Sequence, residues 1–160
     1  MAEGFESLKI LVMSDSHGSR DNMLNIVDLE SPEMILHLGD REKDCFDIEF
    51  EYPDIPLRSV RGNGDFSSAG LDIDEFTLDG IRFFMTHGHL FGVKSGKSNL
   101  IRSAVSRGAD ILLFGHTHIP HYSVIQDMVV LNPGSVGAGG KSYAVLDIKN
   151  GAVSCELKSL

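Results

Sequence analysis

Apolar and polar residues alternate along this chain in blocks too short for most helices. Runs of four to six apolar-rich residues recur as "KILVM" (9–13), "MILHL" (34–38), "LRSV" (57–60), "IRFFMT" (81–86) and "ILLF" (111–114). Each is rich in Ile, Val, Leu or Phe and too short to give a helix its own core face, so each predicts a buried strand. Two intervening stretches carry helical spacing instead. Residues 19–30 place Met23, Ile26 and Val27 on one face, and residues 98–108 place Leu100, Ile101, Ala104 and Val105 on one face, with Ser98 as the expected cap and Gly108 as the stop. Asp79-Gly80 and Asn150-Gly151 are two-residue hairpin signals, and Gln126-Asp127 separates two further strand-like runs. The pattern predicts alternating β and α in the first half and mostly antiparallel β in the second. No repeat, low-complexity tract or linker breaks the chain, so residues 1–160 read as one domain, with residues 1–7 as a loose tail.

Composition narrows the class of function. A chain of 160 residues can bury a full core, and 42% hydrophobic with 23% charged residues describes an ordinary globular domain. The net charge of −9 speaks against a groove for polymeric nucleic acid, which draws its affinity from many Lys and Arg neutralising phosphates. Two cysteines, Cys45 and Cys155, offer neither a disulfide framework nor a thiolate zinc site, and fit a reducing compartment. The run "LKILVM" is short, lacks a basic flank and meets Asp15 at once, so it reads as neither signal peptide nor membrane span. The cytoplasm is the expected location.

The five predicted strands end in one vocabulary. They run into Ser14-Asp15-Ser16-His17, Gly39-Asp40, Arg61-Gly62-Asn63-Gly64-Asp65, His87-Gly88-His89 and Gly115-His116-Thr117-His118. In open α/β sheets ligands bind beyond the carboxyl ends of the strands, where a glycine lets the chain turn and present the next side chain. Carboxylates, an amide and imidazoles without thiolate make a hard-to-borderline metal site, suited to Mn first and to Fe, Co, Ni or Zn next. So many donors exceed the needs of one ion, and a pair is the economical count. Two ions about 3.5–4 Å apart activate water and clamp an in-line phosphoryl displacement, which predicts phosphate-ester hydrolysis.

The order D-x-H, G-D, G-N-x-D, H-G-H, G-H-x-H, from Asp15 to His118, resembles the calcineurin-like metallophosphoesterases. With "THGH", "FGHTH" and "NPGS" the short chain looks like their small bacterial and archaeal phosphodiesterase branch. The resemblance implies a four-layer αββα sandwich, two mixed sheets flanked by helices. It implies that Asp15, His17 and His118 hold one ion, that Asn63, His87 and His116 hold the other, and that Asp40 bridges. A hydroxide shared between the ions would then attack a phosphate diester in line. Phosphomonoester or nucleotide pyrophosphate hydrolysis on the same site is the alternative, and a protein-binding scaffold, as in the similar retromer subunit, is the alternative outside catalysis.

The family pattern is incomplete at two positions. Protein phosphatases and many nucleases of the superfamily place a His after the Asn and an Asp three residues beyond the bridging Asp, a pair thought to protonate the leaving oxygen. Here those positions are Gly64 and Lys43. Diesters with good leaving groups are therefore expected, with His89 either replacing the acid, contacting phosphate alongside Asn63, or supporting the metal loop. The substrate is expected to be small, with a nucleotide-like diester among the candidates, and homo-oligomerisation stays open. "GVKSGKS" (92–98) imitates a phosphate loop, yet three residues separate its glycines where four are needed. Lys94 and Lys97 read as a solvated loop able to guide an anion. His37 and His121 read as structural, residues 41–51 as a solvated acidic face, the glycine-rich segment 132–142 as a turn, and Asp65 as the clasp of its own loop.

Overall fold

The computed structural model describes residues 7–66, 68–137 and 139–160. Most of the expected tail thus lies outside the described residues. The elements run β1 (Leu8–Met13), α1 (Arg20–Glu30), β2 (Met34–His37), α2 (Cys45–Glu51), β3 (Leu57–Ser59), β4 (Ile73–Leu78), β5 (Ile81–Thr86), α3 (Ser98–Ser106), β6 (Ile111–Leu113), β7 (His121–Ile125), β8 (Met128–Asn132), β9 (Ser142–Lys149) and β10 (Ala152–Ser159). They form two five-stranded sheets, ordered β10-β9-β1-β2-β3 and β4-β5-β6-β8-β7. Both are mixed, with β1, β2 and β3 parallel in the first and β5, β6 and β8 parallel in the second.

Strand alternation builds the layers. Successive side chains point to opposite faces. On β1, Ile10 and Val12 join a core shared with Phe83, Met85, Ile111 and Leu113 of the other sheet. Leu11 and Met13 turn the other way and pack with Met23, Ile26 and Val27 of α1 and Ile48 of α2. On the far side, Phe84, Leu112 and Val130 pack against Leu100 and Ala104 of α3. The result is the expected αββα sandwich.

All three hairpin signals hold, since Asp79, Gly80, Gln126, Asp127, Asn150 and Gly151 adopt positive φ, as a two-residue turn of this hand requires. The second half is mostly antiparallel as expected, in the pairs β4–β5, β7–β8, β9–β10 and β1–β9, while β8 lies parallel beside β6 and leaves β7 at the edge. Two details differ from expectation. Ser98 is the first helical residue rather than the cap, and Lys97 precedes it without a side-chain cap. Residues 41–51 are not simply solvated, because Asp44 is buried within them.

The end of α1 is fixed by a buried charge cluster. Glu30 is 5% exposed. Its Oε1 accepts from Tyr143 Oη at 2.8 Å and Lys158 Nζ at 3.0 Å, and its Oε2 lies 3.0 Å from Lys9 Nζ. Burial opposes the charge, but Lys158, Lys9 and Tyr143 prevail and lower its pKa to about 2. A depressed carboxylate stabilises the fold fully above its unfolded value of 4.5, and that contribution is lost as pH falls through about 2. Glu30→Gln is expected to cost about 2–3 kcal/mol at pH 7 and to flatten stability between pH 4.5 and 2. Urea midpoints of both proteins across that window check this; parallel curves would contradict it.

Candidate metal centre

The loops after β1, β2, β5 and β6 meet where the carboxyl ends of the two sheets face each other. Backbone bonds stitch neighbours together within each sheet: Asp15 N–H donates to Gly39 O at 2.9 Å, and Gly115 N–H to His87 O at 2.9 Å. Two more bonds cross between sheets. His116 N–H donates to Asp15 Oδ2 at 3.1 Å, and His87 Nδ1 donates to Leu38 O at 2.7 Å.

Each carboxylate commits one oxygen to its surroundings and presents the other. Asp15 is fully buried. Its Oδ2 accepts from Ser14 Oγ at 2.6 Å as well as from His116. Among the described residues its Oδ1 has no hydrogen-bond donor, yet it lies 3.1 Å from His118 Nε2 and 3.8 Å from both His17 Nε2 and His87 Nε2. The short approach to His118 therefore lacks hydrogen-bond geometry: nitrogen and oxygen flank a shared volume. Asp40 repeats the arrangement, its Oδ1 accepting from Gly64 N–H at 2.9 Å while Oδ2 lies 3.4 Å from His87 Nε2 and 4.0 Å from His17 Nε2.

The imidazoles face one another in the same way. His17 Nε2 and His118 Nε2 are 3.4 Å apart, and His87 Nε2 and His116 Nδ1 are 3.1 Å apart. Since a carbonyl only accepts, Leu38 O fixes a proton on His87 Nδ1. The Nε2 lone pair of a neutral His87 then points at a carboxylate oxygen and another imidazole. Acceptors this close need a cation between them, a proton or a metal. Electrostatics agree: burial disfavours a charge on His87, but Asp40 and Asp15 overcome it and raise its pKa. His116 is pushed down to about 4 by burial, by His87 and by Lys94, so it is neutral near pH 7. Asp40, despite burial, is held well below the usual carboxylate range by His87 and the Gly64 N–H.

Two clusters of ligand atoms result, Asp15–His17–His118 and Asp40–His87–His116, each with all its atoms within 4.8 Å of one another. A buried oxygen without a donor among the described residues and converging ring nitrogens are the setting of a divalent cation. The residues fit the implied ions.

Backbone strain concentrates here. Asp15, His17, Asp40, Arg41, His116 and His118 all adopt positive φ, between 46° and 81°. For a residue with a Cβ this conformation costs about 1 kcal/mol or more. Outside the hairpin turns, only Ser31 and Lys141 share it among the described non-glycine residues.

The remaining predicted residues sit at the rim. Asn63 is exposed, on the loop that Gly64 ties to Asp40. That loop also approaches closely through Gly62, where a Cβ would collide with Asp40 Oδ1. His89 is half-buried, its ring centroid 5.5 Å from His87 and 6.2 Å from His116, and its Nδ1 is buried without a partner among the described residues. Burial, then the charge of His87, lowers its pKa. Asp65 clasps more than its own loop, accepting N–H groups from Asp40, Arg41 and Glu42 as well as Gly62. His37 and His121 are structural as expected: His37 bonds Ser16 Oγ and the Gly39 N–H, and His121 bonds Ser123 Oγ.

Sequence reasoning passed over the supports. Asp44 Oδ2 accepts from Ser16 Oγ at 2.8 Å and from Gly18 N–H at 2.8 Å, gripping His17 from both sides. Asn132 Nδ2 donates to Gly115 O and Thr117 Oγ1, holding the turn that carries His116 and His118. Ser135 Oγ donates to the carbonyl of Asp15. The glycine-rich segment thus braces the site instead of merely turning. Supports of this kind orient ligands and tune their affinity for a metal.

Comparison with known proteins agrees with this geometry. Residues 8–151 match the calcineurin-like phosphoesterase superfamily domain. The probable metallophosphoesterase YsnB of Bacillus subtilis is 32% identical over 154 residues, covering 92% of this chain and 88% of that protein. A phosphodiesterase of Methanocaldococcus jannaschii is 28% identical over 145 residues, covering 79% and 83%. The crystal structure of a predicted phosphoesterase from Streptococcus pneumoniae superimposes with a TM-score of 0.77 at 28% identity, covering 98% of this chain and 91% of that one. Vacuolar protein sorting 29 of Cryptosporidium parvum shares the fold at 14% identity, with a TM-score of 0.75 and coverage of 96% and 97%. The chain belongs to the calcineurin-like phosphoesterase superfamily of metal-dependent hydrolases.

Proposed function

We propose that this chain is a dinuclear metal-dependent phosphodiesterase acting on small phosphate diesters. The observation that carries the reading is the buried Asp15 Oδ1, which has no donor among the described residues and faces the His118 and His87 nitrogens, beside Asp40 Oδ2 at 3.4 Å from His87 Nε2. Asp15, His17 and His118 would hold one ion; Asn63, His87 and His116 would hold the other, with Asp40 shared. Two divalent ions, Mn first by ligand hardness, supply water activation and positive charge for the phosphoryl oxygens.

The chain's own groups then divide the remaining work. Leu38 O keeps the His87 proton on Nδ1 and leaves Nε2 free for a cation. Asn63 and His89, at the rim, donate N–H to a nonbridging oxygen. His89, with its lowered pKa, is a neutral donor near pH 7 and a poor acid. The resemblance to the archaeal phosphodiesterase supports diesters over monoesters. The charge of −9 speaks against polymeric nucleic acid, and among the described residues no helix is long and apolar enough to cross a membrane. A reducing cytoplasm suits the free Cys45 and Cys155. A scaffold role on this fold is disfavoured because every carried-over ligand position keeps a competent side chain, and Asp15, His17, Asp40, His116 and His118 keep theirs on a strained backbone.

The test is metal analysis of the purified protein coupled to hydrolysis of bis-aryl and mono-aryl phosphates with Mn, Ni, Co, Zn and Mg. Two equivalents of metal and faster diester turnover are expected, both lost to a chelator. Metal and activity also decline together toward pH 5, as protons compete for the imidazoles. Full occupancy and rate at pH 5, or chelator-resistant turnover, would contradict the reading.

A further inference from the structure

A cavity of about 690 Å³ adjoins the metal centre without containing its histidines. It lies between the segment after β2 and the loop after β3, and Gly64 and Asp65 line it. Gly64 is the residue the two share, because it lines the cavity while its N–H bonds Asp40 Oδ1, and a Cβ on it would stand 3.2 Å from that oxygen. The size falls within the range of small-molecule sites.

Its walls have one apolar and one cationic side. Phe46 and Phe66 line it and are 71% and 92% exposed, an unusual cost for two large aromatic rings unless something covers them. Ala69 adds to the apolar wall, and Lys43 supplies positive charge together with Arg41, which also pairs with Asp44 at 3.3 Å. The carboxylates nearby are mostly spent. Asp65 accepts four backbone N–H groups, and Glu42 accepts from Ser59 Oγ and Ser68 Oγ. Among the described residues only Glu49 lines the cavity as an exposed acid.

We infer that this cavity receives the aromatic ring of one ester arm, of the nucleobase kind, stacked by Phe46 and Phe66 while the phosphate sits at Asp40. The inference rests on the phosphodiesterase reading and extends it to the substrate class. Adjacency to Asp40 through Gly64 points to an occupant that is part of the same molecule that presents the phosphate, and the two cations suit the anionic linker. Stacking on aromatic side chains tolerates any base, so the site selects a ring rather than a sequence.

Calorimetric binding to the manganese-loaded protein tests this with three probes: inorganic phosphate, ribose 5-phosphate and adenosine 5′-monophosphate. The nucleotide is expected to bind about tenfold tighter than ribose 5-phosphate. The double variant F46A/F66A and, separately, the cavity-filling A69W are expected to erase that difference while leaving phosphate affinity and melting temperature unchanged. Equal affinity of the wild type for both sugar phosphates overturns the inference, as does a preference that survives both variants. Failure of inorganic phosphate itself to bind overturns the underlying phosphate site, and this inference with it. If the two phenylalanines instead pair copies of the chain, sedimentation of F46A/F66A shifts while the nucleotide preference persists, which also overturns it.

Discussion

Asp40→Asn is expected to lower kcat by about 10³-fold or more, with metal content falling below two equivalents and the fold intact. Removing a shared charge from a two-ion site withdraws several kcal/mol of transition-state stabilisation, at about 1.4 kcal/mol per tenfold. The substitution is chosen to be quiet elsewhere. The asparagine carbonyl can still accept the Gly64 N–H that Asp40 Oδ1 accepts now, so the loop after β3 stays attached. What disappears is the negative oxygen facing His87 at 3.4 Å. Metal analysis with a kinetic assay and a melting curve separates the cases. Two retained equivalents with more than a tenth of the activity would remove Asp40 from the shared position.

The second large effect concerns the leaving group. Aryl or nucleotide-like diesters are expected to turn over about 10²–10⁴-fold faster than alkyl diesters of the same charge, the range a positioned general acid contributes elsewhere. At the first family position Gly64 offers no side chain, and a Cβ there would lie 3.2 Å from Asp40 Oδ1, tighter than ordinary contact. At the second, Lys43 is exposed and lines the neighbouring cavity. His89 does not make up the loss, since burial and His87 keep it neutral and its ring stands beside the His87–His116 pair. A plot of log kcat against leaving-group pKa should fall steeply. A flat plot would mean that some group protonates the departing oxygen after all.

The sequence announced its site because each candidate ligand follows a strand that carries its own signature. "KILVM" and "ILLF" are apolar on both faces, as strands buried between a helix layer and a second sheet must be, and the polar residue that breaks each run marks the edge. The hairpins were legible for a local reason: Asp79-Gly80, Gln126-Asp127 and Asn150-Gly151 tolerate positive φ. Contacts made by topology were not legible. Asp44 reads as one acid among several until β1 and β2 pair and bring Ser16 and Gly18 against it. Asn132 looks like a turn residue until β8 lies beside β6, which places its amide under Gly115. The parallel setting of β6 and β8 is itself non-local, with no short signal to announce it.

The left-handed residues carry a lasting consequence. His17 and His118 keep 45% and 37% of their side-chain surface open to solvent, so burial contributes little to holding them in place. Glycine at either position would relax the chain. Selection for heat resistance alone, blind to turnover, would therefore erode this centre from its solvent side first.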